Sequence, residues 1–401
     1  MEWWYYHWCS RSSNIKINAA VFVLCNLYLL SSCASAIAPQ PAAAAGNYYC
    51  KFPAIFNLGD SNSDTGGLSA SSLSVPTPPY GQTFFRMPAG RFSDGRLVID
   101  FIAKDFGLPF LSAYLDSMGT NFTHGANFAT AAATIREPVN ILPRGGFSPF
   151  DLDIQFAQFM QLKSRAPFIR KQGGVFKELM PEQKSFYKAL YTFDIGQNDL
   201  GEGFFLNMST DQVKASVPAM LTTFTTNVKK IYKKGGRSFW IHNTGPLGCL
   251  PYIFTNLPVT ETDGAGCAKA YNEVAQYFNL RLKEAVAQLR KDRPSAAFTY
   301  VDVYSVKYSL YTDPHKYGFE QPLVACCGYG GKYNYGSGFC GDTITTGNGT
   351  RIKVGSCKDP SVRVNWDGIH YTEAANKFVF DHISTGAFSD PPLPLRLACR
   401  R

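Results

Sequence analysis

The chain has 401 residues, of which 45% are hydrophobic and 17% charged, and its formal net charge is +9. This composition predicts a globular protein with a sizeable core and excludes an intrinsically disordered chain. The densest basic run, KKIYKKGGR at 229–237, lies at the end of a predicted helix, where cations complement the helix dipole. The positive charge therefore does not indicate nucleic-acid binding.

The first 36 residues have the pattern of a secretory signal peptide. The apolar run AAVFVLCNLYLL is shorter than the ~20 residues that a membrane span needs, and Ala34, Ser35 and Ala36 offer a cleavage site. We expect a signal peptide over 1–36, with retention of the leader as a membrane anchor as the alternative. A linker over 37–49, one folded domain over 50–388 and an irregular proline-rich tail over 389–401 would follow.

Cysteine usage agrees with export. After the leader an even set of cysteines remains: Cys50, Cys249, Cys267, Cys326, Cys327, Cys340, Cys357 and Cys399. In an exported chain such a set predicts structural disulfides, whose pairing the sequence leaves open. No C-x-x-C pair is present, so a zinc site is not indicated. The sequons at Asn121, Asn207 and Asn348 predict glycosylated surface positions.

Apolar runs alternate with amphipathic stretches along the rest of the chain. The predicted strands are 52–58, 124–130, 189–196, 237–243 and 297–304, and the predicted helices are 98–107, 151–166, about 211–234, 267–291 and 372–384. Thr372 is a good N-cap for the last helix. Residues 305–360, rich in Gly, Tyr and Cys, would form a long disulfide-pinned excursion. The alternation predicts an α/β fold, in which helices cover both faces of a parallel sheet.

The first predicted strand ends in the polar stretch IFNLGDSNSDTGG at 55–67. Such folds bind ligands at the carboxyl ends of their strands. Ser61 would lie just before a helix, whose free N–H groups favour negative charge, so it is a candidate nucleophile. Asp and Ser are also common N-cap residues, and the stretch alone leaves that structural interpretation open.

A serine nucleophile needs a base, and among six histidines the candidate is His370 in NWDGIHYTEAANK. Asp367 stands three residues earlier, close enough to accept the imidazole N–H and to fix its tautomer. A D-x-x-H pair can equally be part of a turn and a helix start.

Two further strand ends carry candidate oxyanion donors. Asn198, in DIGQNDL after the third strand, offers a side-chain amide, although Asn is also a usual turn residue. HGANFATAAATI at 124–135 ends the second strand in small residues, whose backbone N–H groups could approach a substrate. Close packing of strand against helix is the alternative explanation.

Taken in order, these pieces resemble the plant GDSL esterases/lipases of the SGNH hydrolase superfamily, from about residue 50 to 385. The landmarks are FNLGDSNSDTGG, GRFSDGRLVIDFIA, GANFATAAATI, FDIGQNDL, NTGPLGCLPY and VNWDGIHYTEAA. The resemblance implies a three-layer α/β/α sandwich with a flavodoxin-like parallel sheet of about five strands. It implies Ser61 as nucleophile and Asp367 with His370 as the acid–base pair. It also implies an oxyanion hole of Ser61, Ala132 and Asn198, with Ala132 where the family usually has glycine, which puts the backbone angles there in question.

The function implied is a serine carboxylester hydrolase that needs no metal or cofactor. The variant NFATAAATI at 127–135 resembles the branch of the family that contains early-nodulin-like proteins and acetylesterases. We therefore expect removal of short acyl groups from a cell-wall polysaccharide such as xylan, or from a glycoside. An acyltransferase or lipase with the same site is the alternative, and a non-catalytic carbohydrate-binding protein a weaker one. We expect a monomer, secreted to the cell wall or, with a retained leader, held in the Golgi lumen. No G-x-S-x-G motif, P-loop or H-E-x-x-H is present.

Overall fold

The computed structural model describes residues 49–142, 144, 146–347 and 349–400. The expected signal peptide, the linker up to residue 48 and the sequon asparagine Asn348 therefore lie outside the described residues. Across these ranges, no helix combines the length and the hydrophobicity that crossing a lipid bilayer requires.

A central sheet organises the described part of the chain. Its strands are β1 (Ile55–Gly59), β2 (Gly125–Asn127), β3 (Leu190–Asp194), β4 (Ser238–His242), β5 (Ala297–Val301) and β8 (Ser389–Asp390), and a separate hairpin pairs β6 (Thr343–Thr345) with β7 (Arg351–Lys353). The sheet order is β2-β1-β3-β4-β5-β8, with β8 alone antiparallel among these six. The five parallel strands follow the flavodoxin order, which confirms the predicted architecture. The short edge strand β8 was not predicted.

Helices occupy the connections between the strands. They are α1 (Gly67–Ala70), α2 (Val98–Asp105), α3 (Leu152–Arg170), α4 (Gly174–Leu179), α5 (Gln183–Lys188), α6 (Gln197–Phe205), α7 (Thr210–Lys233), α8 (Pro251–Asn256), α9 (Lys269–Asp292), α10 (Val303–Thr312) and α11 (Glu373–Ile383). Each of the five predicted helices is present within a few residues of its expected bounds. Thr372 caps α11 as predicted, because its Oγ1 accepts a hydrogen bond from the N–H of Ala375 at 3.2 Å.

Two apolar cores enclose the sheet, one on each face. Alternation along β1 places Phe56 and Leu58 in the core covered by α3, α7 and α9. Ile55 joins the core covered by α2, α10 and α11. Strands buried on both sides have no polar face, which explains why they appear in the sequence as continuous apolar runs.

The boundary between β5 and the excursion was predicted wrongly, because residues 303–312 form helix α10 and not the end of a strand followed by a loop. Asp302 caps this helix, its carboxylate accepting from the N–H of Ser305 at 3.0 Å. Val303, Val306 and Leu310 follow helical spacing and are buried. Lys307 is buried on the same side and interrupts the apolar pattern that would otherwise have indicated a helix.

The C-terminal segment is not the irregular tail that the sequence predicted. Residues of β8 pair with β5, and Leu395 is fully buried within the 3-10 turn Leu395–Leu397. A disulfide joins Cys399 to Cys50, so this segment closes the core on the face of α2, α10 and α11.

All eight cysteines after the leader form disulfides, as predicted. The pairs are Cys50–Cys399, Cys249–Cys267, Cys326–Cys357 and Cys327–Cys340. Three of the four cysteines in the last two pairs pack with Trp366, and Cys357 lies against the same cluster. The disulfide-pinned excursion therefore supports the segment that carries Asp367 and His370.

Candidate active site

Strand side chains hold the loop that follows β1 and carries Ser61. Asn57 of β1 donates from Nδ2 to Oδ1 of Asn127 in β2 at 2.7 Å, and Asn127 donates from Nδ2 to the carbonyl of Ser63 at 2.6 Å. A Cβ on Gly59 would lie 2.6 Å from the carbonyl oxygen of Asp194, so only glycine lets the loop leave the sheet here. Ser61 itself is 3% exposed.

Ser61 does not lie at a helix N-terminus, which corrects the sequence interpretation. It occupies a turn, and α1 begins six residues later and has only four residues. The carboxylate of Asp64 accepts from the N–H groups of Gly66 and Leu68, at 2.7 and 3.1 Å. The Asp64 carboxylate thus binds the free N–H groups at the start of α1, and the dipole of this helix is not directed at Ser61.

The predicted contact between Asp367 and His370 is present. His370 Nδ1 lies 2.7 Å from Asp367 Oδ2, and Asp367 Oδ1 accepts from the N–H groups of Ile369 and His370 at 3.1 and 2.9 Å. Burial alone would raise the pKa of Asp367, but the charge and hydrogen bonds of His370 hold that pKa below its usual value. An ionised Asp367 fixes the imidazole with its second nitrogen, Nε2, as proton acceptor.

A third side chain completes this array, and no sequence motif pointed to it. Tyr80 donates its hydroxyl to Asp367 Oδ2 at 2.8 Å, across 287 residues of chain. Its ring packs edge-on against Trp366, and Phe92 contacts the ring of His370 at 5.5 Å between centroids. Burial and the neighbouring Asp367 raise the pKa of Tyr80 well above its ordinary value, so the phenol remains a donor.

Asn198 and Ala132 lie in touching segments. Asn198 is the second residue of α6, and its Nδ2 donates to the carbonyl of Ala133 at 2.9 Å, which leaves the other N–H of the amide for a further acceptor. The backbone N–H groups of Ser61 and Ala132 have no acceptor within the described ranges. Asp199, next on α6, accepts from the N–H of Ile135 at 2.8 Å and so fastens the Ala132 segment to the same helix.

Ala132 adopts the left-handed conformation that glycine favours, with φ +61°. This answers the question raised by the alanine at that position: the backbone keeps the conformation that glycine favours and accommodates the extra methyl. An L-residue pays about 1–2 kcal/mol for such a conformation. Ala131 before it donates its N–H to Asp64 Oδ2 at 2.7 Å, which ties the two loops together.

Contacts of flanking residues bring the four sequence segments to one edge of the sheet. Asn62 follows Ser61 and Gln197 precedes Asn198. Asn62 donates from Nδ2 to Gln197 Oε1 at 3.5 Å. The Nζ of Lys307, on α10, lies 3.4 Å from Asn62 Oδ1 and 4.4 Å from the ring centroid of Tyr371. Tyr371 is the residue that follows His370. Ser61, Asn198 and His370 therefore lie in segments that are linked by single side-chain contacts.

The sequence model of the GDSL-like lipases/acylhydrolases matches residues 55–383. The chain belongs to this family. A Hevea brasiliensis protein named "Esterase" is 64% identical over 354 residues, which cover 88% of this chain and 90% of that protein. The GDSL esterase/lipase ENOD8 of Medicago truncatula is 58% identical over 352 residues, 88% and 91% of the two chains. A protein of Arabidopsis thaliana named Alpha-L-fucosidase 3 is 50% identical over 383 residues, 94% and 99% of the two chains.

This GDSL hydrolase is thus a carboxylic ester hydrolase of plant type, as the resemblance implied. The match spans every landmark from the β1 loop to α11. Asn121 and Asn207 are exposed, as glycosylated asparagines must be, and their glycosylation stays a prediction.

Proposed function

We propose that this GDSL hydrolase removes short acyl groups, acetyl first, from a cell-wall polysaccharide such as xylan or from a glycoside. The observation that carries the proposal is the Tyr80–Asp367–His370 array, with Ser61 in a segment linked to it through Lys307. A carboxylate-held imidazole beside a serine hydroxyl is the arrangement that activates a nucleophile for acyl transfer.

In the proposed acylation step, Ser61 Oγ attacks the ester carbonyl carbon while His370 Nε2 accepts the hydroxyl proton. The resulting oxyanion is held by the N–H groups of Ser61 and Ala132 and by the free N–H of the Asn198 amide. The imidazolium, stabilised by Asp367, then gives its proton to the alcohol oxygen as the C–O bond breaks. The alcohol leaves, and the acyl group stays on Ser61.

Deacylation repeats these roles with water as the nucleophile. His370 accepts a proton from the attacking water, the same donors hold the second oxyanion, and the proton returns to Ser61 Oγ as the carboxylic acid leaves. If an alcohol enters in place of water, the acyl group is transferred, so the same residues would serve an acyltransferase.

The conformation at Ala132 supports the preference for a short acyl group. In the proposed site its methyl, where the family usually has none, would lie beside the N–H that holds the oxyanion and would narrow the space next to the acyl carbon. We therefore expect p-nitrophenyl acetate to be hydrolysed with a higher kcat/KM than the octanoate or palmitate ester.

Two variants test the site. Ser61→Ala should abolish p-nitrophenyl acetate hydrolysis and labelling by a fluorophosphonate. Asn198→Ala should lower kcat by roughly 100- to 1,000-fold, the usual loss for one oxyanion donor. Ser71→Ala is the matched control, because that hydroxyl donates to the carbonyl of Leu68 and accepts from the N–H of Leu73, both within its own turn, and should be dispensable. Wild-type activity in Ser61→Ala would refute the assignment.

A product screen tests the substrate. Acetate released from acetylated xylan, pectin and acetylated glycosides would identify the acceptor, and ester formation on adding a candidate alcohol would indicate the acyltransferase. Absence of both activities, with no fluorophosphonate label, would leave the carbohydrate-binding alternative. The name of the Arabidopsis relative makes p-nitrophenyl α-L-fucoside a necessary substrate in the same screen. Fucoside hydrolysis that survives Ser61→Ala would require a different site, since glycosidases use paired carboxylates.

We further propose export with cleavage of the leader after residue 36, and a monomeric mature enzyme. The four disulfides support an oxidising compartment. N-terminal sequencing of the protein from plant tissue distinguishes a cleaved leader from a retained Golgi anchor, and light scattering of the purified protein gives its oligomeric state.

A further inference from the structure

Lys307 is a buried cation directly beneath the proposed nucleophile loop. It lies on α10 and is 3% exposed. Removing an ammonium group from water costs several kcal/mol unless charged or polar groups compensate, and burial accordingly lowers the pKa of Lys307. The contacts already described place its Nζ between Asn62 and Tyr371, the residues that follow Ser61 and His370.

Two carboxylates supply the counter-charge. Asp194, at the end of β3, and Asp60, at the end of β1, are both buried and both attract the ammonium of Lys307. The backbone N–H of Asp60 also donates to the carbonyl of Asp194 at 3.0 Å, so the two acids belong to adjacent strand ends.

The neighbouring His242 adds no positive charge to this cluster. Trp240 donates its indole N–H to His242 Nε2 at 3.0 Å, and an indole can only donate. His242 Nε2 is therefore an acceptor, and the ring is neutral with its proton on Nδ1, 3.0 Å from Asp194 Oδ2. Burial would raise the pKa of Asp194, but the contact with His242 and, to a smaller extent, the charge of Lys307 hold that pKa below its usual value.

Asp60 is the second acid of this cluster. Its Oδ1 accepts from the N–H and the side-chain amide of Asn62, each at 2.9 Å, whereas its Oδ2 is buried without a partner in the described part of the protein. Burial and the charge of Asp194 raise the pKa of Asp60 to about 7 despite the attraction of Lys307. Asp60 is therefore neutral at low pH, and without the ammonium the carboxylate that it forms at high pH would face Asp194 next to Ser61.

We propose that Lys307 is a positioning residue for the reaction: its ammonium balances Asp60 and Asp194 and so holds the Ser61 loop in register with the His370 segment. This inference rests on the proposed roles of Ser61 and His370. Lys307 does not touch the substrate. It acts through Asn62 on one side and through the ring of Tyr371 on the other.

A purely structural role would not need a charge at this position. An apolar side chain of similar length would fill the same space, and replacing buried ion pairs by apolar groups is often neutral or stabilising. The cluster keeps a cation here and aims it at the residues next to Ser61 and His370, which is the expected arrangement if the charge itself is used.

The charge has a consequence for the pH dependence. Asp60 is the source, because a pKa of about 7 makes it a carboxylic acid at lower pH and a carboxylate at higher pH. Losing the attraction of the Lys307 ammonium should therefore disturb the Ser61 loop more at pH 9 than at pH 5, and removing the Asp60 carboxyl should abolish that difference. The titratable groups around Lys307 and His370 are Asp60, Asp194, His242, Asp367, Tyr80, Tyr311 and Tyr371. Burial raises the pKa of the last two, which are phenols.

The test compares Lys307→Met, which keeps the length of the stem, with Asp60→Asn and the double variant. All are assayed with p-nitrophenyl acetate from pH 5 to pH 9, alongside Ser61→Ala. In Lys307→Met we expect kcat at pH 9 to fall roughly 10- to 100-fold with KM within about threefold, and to fall less at pH 5, where Asp60 is protonated. The double variant should show no such difference between the two pH values.

The double variant distinguishes charge from packing. Because Asp60→Asn removes the unbalanced carboxylate, it should restore kcat at least fivefold relative to Lys307→Met, by the order of coupling seen between contacting groups. Should Lys307→Met not fold, the double variant should recover folding. A loss of kcat in Lys307→Met that is equal at pH 5 and pH 9, or a double variant no better than Lys307→Met at pH 9, overturns the inference. Activity in Ser61→Ala would instead refute the site on which it rests.

Discussion

Replacing Tyr80 by phenylalanine removes one hydroxyl from the carboxylate that orients the proposed base. Asp367 Oδ2 receives two hydrogen bonds, from His370 Nδ1 at 2.7 Å and from Tyr80 at 2.8 Å. In Tyr80→Phe the first bond remains and the second is lost, with the ring still packed against Trp366. The substitution therefore changes the electrostatics of the pair with little change in packing.

The size of the effect follows from the energy of the hydrogen bond between Tyr80 and the charged Asp367. A hydrogen bond to a charged group contributes about 1.5–3 kcal/mol, and Asp367 is 8% exposed, so water replaces the hydroxyl only in part. The lost bond favours the ionised carboxylate, so its removal raises the pKa of Asp367, and the array loses its carboxylate at a higher pH. If about half of the lost energy acts on this ionisation, the acid limb of kcat/KM moves upward by roughly 0.5–1 pH unit, since one unit corresponds to about 1.4 kcal/mol.

The assay is kcat/KM for p-nitrophenyl acetate from pH 4.5 to pH 9, together with urea unfolding. Tyr80→Phe should shift the acid limb upward by the stated amount and lower the free energy of unfolding by about 1–2 kcal/mol. Tyr252→Phe is the control, because Tyr252 is half-buried near Tyr335 and its hydroxyl has no hydrogen bond within the described residues. An acid limb in Tyr80→Phe that coincides with that of the wild type would refute the reasoning.

Two further predictions concern the oxyanion segment and its support. Ala132→Gly should raise the free energy of unfolding by up to about 1 kcal/mol in urea titrations, since φ is +61° at this position. Ala131→Gly, at a position without positive φ, should lower the free energy of unfolding by a similar amount. Equal effects of the two substitutions would contradict the strain at Ala132. Burial raises the pKa of Asp199 to about 7, so the folded state retains a proton that the unfolded state releases above about pH 4. The stability that this group contributes is complete below pH 4 and is lost as the pH rises to about 7. Asp199→Asn should therefore flatten the decline of the unfolding free energy between pH 5 and pH 7. An unchanged slope would contradict the raised pKa of Asp199.

The sequence predicted the parallel sheet and the D-x-x-H contact because both depend on local patterns. Buried strands such as Ile55–Gly59 are short apolar runs, and Asp367 and His370 are three residues apart, so one turn brings them together. Tyr80 could not be found in this way, because its contact with Asp367 spans 287 residues and nothing near Tyr80 marks it.

Two errors came from competition between local signals and tertiary contacts. Lys307 in the middle of an apolar pattern made α10 resemble a loop, yet Asp60 and Asp194 compensate its charge in the folded protein. The helix expected directly after Ser61 is displaced to Gly67, where the carboxylate of Asp64 binds its N–H groups. Neither compensation can be inferred before the strand ends are assembled.

The bond between Cys50 and Cys399 turns the folded body into a covalent ring, since it joins residues 349 positions apart. A protease that cuts one exposed loop between them opens this ring but releases no fragment, and both cut ends stay attached to the same molecule. After one such cut the β1 loop and the D-x-x-H segment stay in one covalently linked molecule until a reductant cleaves that disulfide.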